Sequence, residues 1–482
     1  MFDRPYIPFV LALAAFSPLF LLFLHVIPDG LERSELIVDY FVLVVFLLAL
    51  ALAVLEEFTD LRKSKPMVLA AGIVWGAIAW LAAETGTSHE AERALRENLL
   101  QYAELMLFLL AAMTYINAMS ERRLFLYLRD WLGHQRVSCR RLFWLVGFAT
   151  FFLSPILDNL TTALLMGAVV VAIGVGNPRF VALSCINVVV AANAGGVFSP
   201  FGDITTLMVW QQNIQTSSGP VDFVSFFQLF VPALVSFLIP AYVLHLALPE
   251  ACLSPAEEPT RPLRGAWTIA FLFLVTIAMA VVFQSLLNLP AVIGMLTGLS
   301  FLKFFGFYLK KTHRSFESGS GDEEEMGGPV PLDGENPFDI FDRVSRVEWD
   351  TLLFLYGVAL CVGGLGYLGH LALVADFLYS ELGVTLANVG AGMFSAILEN
   401  IPAMFMVLSM SPKMSQLHWL LVTFTTGTGG RLLARGSAAG IALMGLARDS
   451  YTFLEHLKWA PVIGIGFAAG VAVHLYLSGI GF

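Results

Sequence analysis

Long apolar stretches separated by short polar ones organise the chain. A run of about 20 apolar residues is enough for a helix to cross a bilayer. Full spans are expected near 6–27, 37–55, 67–83, 102–119, 180–213, 223–248, 267–288, 290–309, 350–370, 416–447 and 459–480. Two of these, 180–213 and 416–447, are overlong and carry glycine clusters, which predicts broken helices. Two further stretches, 142–176 and 384–410, are apolar except at a central break, Asp158-Asn159 and Glu399-Asn400, too polar for lipid. They are expected to be re-entrant helical hairpins. The predicted fold class is an all-α polytopic membrane protein of about 11 transmembrane helices plus these two hairpins. No small-residue cleavage site follows the first run, so Tyr6–Ile27 is expected to be a retained span. Residues 88–101 read as a short external amphipathic helix. Residues 311–348, with their Ser/Gly/Asp/Glu cluster, read as a mobile cytoplasmic insert.

The chain also repeats itself. Ser154 to Leu160 (SPILDNL) matches Ser395 to Ile401 (SAILENI). Further on, Gly195-Gly196 with Gly202-Asp203 six residues later matches Gly429-Gly430 with Gly436-Ser437. Two motifs recur in the same order. With the first hairpin opening from the cytoplasm and the second from outside, this is an inverted-topology repeat, the plan of many secondary transporters. The expected organisation is an extra N-terminal span and loop (1–36), a first repeat (37–248) and a second (249–482).

Composition supports a membrane class. Apolar residues make up 57% and charged residues 13%, about half of what soluble domains carry. The net charge of -10 gives no reason to expect a nucleic-acid partner. Cys139, Cys185, Cys252 and Cys361 are too dispersed for a disulfide framework or a metal cluster. Lys and Arg set the orientation. The loops 56–66 (Arg62, Lys63, Lys65) and 120–141 (Arg122, Arg123, Arg129, Arg136, Arg140, Arg141) are placed in the cytoplasm. Of the 27 basic residues, Arg33, Arg93, Arg96 and Lys413 then fall outside, and Arg431 and Arg435 fall within the membrane. The N-terminus is expected inside and the C-terminus outside.

Carboxylates within the membrane are costly and mark function by default. Asp158 stands with Asn159, Thr161 and Thr162 in one break. Asp203 stands with Ser199, Thr205 and Thr206 in another, after Asn193. Hydroxyls, amides and freed carbonyls are the oxygens a hard cation wants. Burial raises a carboxylate's pKa and a bound cation lowers it, so one site holds H+ or Na+ but not readily both. That competition is a minimal mechanism for exchange. A Na+ site is expected at Asp158, Asn159, Asp203 and Thr205, with no cofactor beyond the transported ions.

The strings SPILDNLTTALLMGAVVVAIGVGNPRF (154–180) and NVVVAANAGGVFSPFGDITTLMVWQ (187–211) resemble the NhaD-type sodium/proton antiporters of the ion transporter superfamily. MTYINAM (113–119), RRLFW (140–144), SAILENIPAMF (395–405), GTGG (427–430) and GSAAGIALMG (436–445) extend the resemblance. It implies a homodimer in a bacterial inner membrane that exchanges Na+ or Li+ for H+ by an elevator-like motion. Carried over by position, the functional polar residues are Ser154, Asp158, Asn159, Thr161, Asn193, Asp203 and Thr205, then Ser395, Asn400 and Ser437. The second half departs from the family pattern. Serine is expected at positions 431 and 434, an apolar residue at 435 and aspartate at 399. The chain has Arg431, Ala434, Arg435 and Glu399. A membrane arginine needs a partner, so an Arg431–Glu399 or Arg435–Glu399 ion pair is expected.

Two other functions compete. A proton- or sodium-coupled carrier of small anions such as dicarboxylates or citrate would use Arg431 and Arg435, whose guanidinium forks suit carboxylates. Asp158 and Asp203 oppose it, since they repel anions. An intramembrane aspartyl protease would need glycine where Pro200 stands and tyrosine where Leu157 stands. A transporter, rather than an enzyme, is the reading that follows.

Overall fold

A computed structural model describes residues 33–56, 61–133, 138–174, 176–248, 261–318, 344–345 and 347–479. The span expected at 6–27 and most of the 311–348 insert lie outside these residues. Among the described residues, ten helices are long and apolar enough to cross a membrane. The chain is an all-α polytopic membrane protein.

In order, the helices are α1 (Arg33–Val54), α2 (Ser64–Thr85), α3 (Ser88–Glu121), α4 (Leu124–Gly133), α5 (Cys139–Leu157), α6 (Asn159–Ile173), α7 (Pro178–Gly196), α8 (Ile204–Gln211) and α9 (Phe230–Leu246). Then follow α10 (Ala266–Ser285), α11 (Ala291–Ser318), α12 (Trp349–Tyr367), α13 (His370–Asp376), α14 (Val384–Leu398), α15 (Asn400–Met410), α16 (Gln416–Gly429), α17 (Ala438–Leu446) and α18 (Phe453–Ser478). A two-residue hairpin pairs β1 (Gln215–Thr216) with β2 (Gly219–Pro220).

Two boundaries differ from expectation, and one break falls where it was expected. Residues 88–101 are not a separate helix but the start of the 34-residue α3. Neither glycine nor proline interrupts it, and the pairs Arg93–Glu97 and Arg96–Glu92, each at 2.8 Å, support its exposed first turns. The helix α11 runs on to Ser318, into the stretch expected to be a linker. Residues 416–447 form two short helices, α16 and α17, with a 3-10 turn at Gly430–Leu432 after the first. The helix is broken there, at the glycine cluster, as the sequence predicts.

The described residues fall into two compact units. One comprises those within Ala103–Asp130 and Glu258–Trp349. Inside it, Tyr115 Oη donates to the Gly298 carbonyl (2.6 Å) and accepts from Thr276 Oγ1 (2.9 Å). The other comprises those within Met1–Tyr102, Trp131–Glu257 and Asp350–Phe482. It contains both helix–break–helix motifs. One of its apolar cores joins α1, α2 and α12, with Leu398 and Met406 of the second motif packed into it.

Within this unit the repeated sequences make repeated contacts. Ser154 Oγ on α5 donates to the Ala192 carbonyl on α7 (2.6 Å). Ser395 Oγ on α14 donates to the Thr426 carbonyl on α16 (3.0 Å). Both acceptors lie three residues before a Gly-Gly pair. A Cβ on Gly195 would collide with the Phe151 carbonyl, and one on Gly429 with the Gly392 carbonyl. Glycine is thus required at both positions for the helices to approach. The paired helices α7 and α16 are buried nearly throughout, so they read as continuous apolar runs rather than amphipathic ones.

Candidate cation site

Each motif breaks at its carboxylate. Asp158 has φ 69° and ψ 160°, and Glu399 has φ 70° and ψ 158°. This backbone region is essentially reserved for glycine and costs about 1–3 kcal/mol for another residue. Both carboxylates therefore stand at matched, strained points, with Asn159 and Asn400 opening the helices that follow. The second pair of breaks is matched too. A Cβ on Gly196 would press on the Gly202 carbonyl, and one on Gly430 on the Gly436 carbonyl. Asp203 and Ser437 follow these turns, in extended conformation, as the N-caps of α8 and α17.

The two asparagines converge on Asp203. Asn159 Nδ2 donates to Asp203 Oδ2 at 3.0 Å. Asn400 Nδ2 donates to both carboxylate oxygens, each at 3.0 Å. The Thr205 backbone N–H donates to Asp203 Oδ1 at 3.1 Å. Asn193 extends the network. Its Oδ1 accepts from Asn159 Nδ2 (3.4 Å) and from Ser437 Oγ (3.1 Å). Asp203, Asn159, Asn193, Asn400 and Ser437 are all buried. One residue from each of four helix starts meets here, so partial positive charge from N-terminal N–H groups faces the carboxylate. The ends of α5, α7, α14 and α16 bring their last carbonyls to the same four breaks.

The Thr205 hydroxyl is buried with no hydrogen-bond partner among the described residues. Beside it, α16 presents Gly427. A Cβ there would lie 3.4 Å from Thr205 Oγ1 and 3.6 Å from Asp203 Oδ2, and would collide with Val197. The bare backbone at Gly427 leaves the Asp203–Thr205 pair unobstructed on that side.

Not every expected residue joins this cluster. Asp158 accepts from the Thr161 backbone N–H and from Thr161 Oγ1, both at 2.8 Å. It caps its own helix, and Asn159 is the link between this break and Asp203. Ser154 and Ser395 donate to backbone carbonyls and tie helices together. The expected Arg431–Glu399 pair does not form. Glu399 is bound by Lys63, whose Nζ lies 2.8 and 3.0 Å from its two oxygens. Arg431 is fully buried, and its guanidinium donates to the Val190 carbonyl (3.0 Å) and the Ser236 carbonyl (3.3 Å). It reaches away from Glu399 to α7 and α9. Arg435 lies over the Phe453 ring at 4.6 Å and lines a small cavity together with Lys63 and Glu399. Sequence reasoning missed Lys63. A signal was available: Pro402 stands where Thr161 stands in the first repeat. Proline has no N–H and no hydroxyl, so Glu399 needs a donor from elsewhere.

Comparison with known proteins agrees with this picture. The family model CitMHS, described as citrate transporter, matches residues 32–427. The chain is 50% identical to the Na+/H+ antiporter NhaD of Vibrio cholerae serotype O1, over 97% of this chain and 98% of that one. The chain belongs to the NhaD family of Na+/H+ antiporters. It is also 51% identical to the NhaD of Alkalimonas amylolytica, over 93% of this chain and 92% of that one. It is 31% identical to sodium/proton antiporter 1 of Arabidopsis thaliana, over 79% of this chain and 63% of that protein. In this NhaD-family chain the cluster around Asp203 draws on both repeats, through Asn159 and Asn193 from one and Asn400 and Ser437 from the other.

Proposed function

We propose that the chain exchanges Na+, and by the same oxygen chemistry Li+, for H+ across a membrane, with cation and proton competing for Asp203. The observation that carries this reading is the buried Asp203 carboxylate, clasped by an asparagine from each repeat beside the buried Thr205 hydroxyl. In the structure the two carboxamides turn N–H groups toward the carboxylate. To bind Na+, they rotate and present their oxygens, and Thr205 Oγ1 adds another. Na+ then replaces the N–H donors as the neutralising partner. A proton on Asp203 removes the charge that holds the cation, so the two leave and enter in opposition. Asp158, one residue before Asn159, stands at the first break as a second carboxylate available to the same exchange.

From the family resemblance we place the chain in a bacterial inner membrane, and from the distribution of Lys and Arg we place its basic loops in the cytoplasm. The anion-carrier reading draws on the description of the matching family model. Among the described residues, no guanidinium or ammonium donates to the Asp203 cluster, and Arg431 is engaged with backbone carbonyls. An anion would meet a carboxylate there.

The test is reconstitution in liposomes with a trapped pH dye and an imposed pH gradient. Na+ and Li+ are expected to collapse the gradient, K+, citrate and succinate are not, and Asp203→Asn is expected to abolish the response. Citrate or succinate uptake coupled to the gradient, with no cation response, would overturn the reading.

A further inference from the structure

The two break carboxylates occupy the same backbone conformation but are held by different means. Asp158 is held within its own helix by Thr161. Glu399 has no such cap, because Pro402 offers neither donor. Among the described residues, its side chain is bound by the Lys63 ammonium, at 2.8 and 3.0 Å, with both side chains largely withdrawn from solvent.

Lys63 is itself firmly placed. It immediately precedes α2, and Ser64 Oγ donates to Asp350 at the start of α12. Its Nζ lies 4.7 Å from the centre of the Phe354 ring. Farther along, Trp75 Nε1 donates to the Leu360 carbonyl at 2.9 Å, and a Cβ on Gly357 would press on the Met67 backbone. The helices α2 and α12 thus form a rigid mount. Leu398, the residue before Glu399, packs into the same core. Asn400, the residue after it, makes two of the hydrogen bonds to Asp203.

We propose that Lys63 is a positioning residue for cation binding: by holding Glu399 it fixes the strained break that aims Asn400 at Asp203. The proposal rests on the reading of Asp203 as the cation site. Lys63 does not touch the cation. A misaimed Asn400 weakens binding more than it slows the transport step, because the broken link lies on the ligand's side of the site and not in the reaction path.

The test uses the full chain in liposomes, with initial exchange rates titrated against Na+ at fixed pH. Lys63→Met is expected to raise KM for Na+ about tenfold, or about 1.4 kcal/mol, with kcat within about twofold. Lys63→Arg, which keeps the charge and the donors, is expected to bring KM back to within about threefold of the parent. Combining Lys63→Met with Glu399→Gln is expected to be no worse than Lys63→Met alone, since both remove one contact. An unchanged KM in Lys63→Met, a fall in kcat at unchanged KM, no rescue by arginine, or additive effects in the double variant would each overturn the proposal. If Lys63→Met does not accumulate in the membrane, Lys63→Gln is read against Lys63→Arg on the same terms. Asp203→Asn is measured in parallel. If that variant exchanges Na+ at unchanged KM, the site reading itself falls. If it is inactive while Lys63→Met keeps its KM, only the role of Lys63 falls.

Discussion

The break at Asp158 and the break at Glu399 differ in dihedral angles by only a degree or two, yet they are built from different chemistry. The first is capped locally: an aspartate, short enough to reach its own helix, accepts two hydrogen bonds from Thr161. The second is open. Glutamate reaches one methylene farther, Pro402 removes the local donors, and an ion pair to Lys63, remote in sequence, takes their place. The downstream breaks diverge in the same way. Asp203 brings a carboxylate and Ser437 a hydroxyl, so one repeat holds the charge and the other helps to frame it. A duplicated backbone can thus keep its shape while its two copies take different tasks.

The sharpest way to break this comparison is at the downstream caps. Asp203→Asn is expected to lower kcat/KM for Na+ at least about 100-fold, because the one charge of the cluster is lost. Ser437→Ala is expected to cost less than about tenfold, since Asn193 retains its other bonds. Equal losses in the two variants would show that the cluster does not divide the work as described. Next, the open break can be converted to the closed type. In a Pro402→Thr/Glu399→Asp background, adding Lys63→Met is expected to change KM less than about twofold, instead of about tenfold. A full tenfold effect there would mean that local capping cannot replace Lys63.

A smaller effect is expected from the closed break itself. Thr161→Val removes one of the two donors to Asp158 and keeps the backbone N–H, so KM for Na+ is expected to rise about threefold. No activity change is expected from the matched serines. Ser154→Ala and Ser395→Ala each remove one interhelix hydrogen bond, and each is expected to lower stability by about 1–3 kcal/mol. Thermal unfolding in detergent should show similar losses. A loss in one alone would mean that the two contacts are matched in geometry but not in strength.

Much of this was legible before any coordinates. The apolar runs located nine of the ten described helices long enough to cross; the tenth, Cys139–Leu157, falls in the stretch expected to be a hairpin. The polar breaks were visible as Asp158-Asn159 and Glu399-Asn400. The repeat covered Asn159, Asp203, Asn400 and Ser437, and the family resemblance added Asn193; the five meet in one network. Two sets of contacts were not legible, for physical reasons. The serines Ser154 and Ser395 have ligand chemistry, but hydroxyls in helices also bond to neighbouring carbonyls, and sequence does not say which they do. The pairing of Arg431 with Glu399 assumed that membrane charges neutralise one another. Arg431 instead donates from its two terminal nitrogens to backbone carbonyls of two helices remote in sequence.

What the sequence alone determined is local or periodic: which segments are apolar enough to cross, where glycine permits helices to touch, and where a helix stops. Those properties depend on the residue and its immediate neighbours. Only the tertiary structure decided which partner each break carboxylate takes. Thr161 lies three residues from Asp158, but Lys63 lies 336 positions from Glu399, and only the packing of α2 and α12 beside the second motif brings that ammonium within reach.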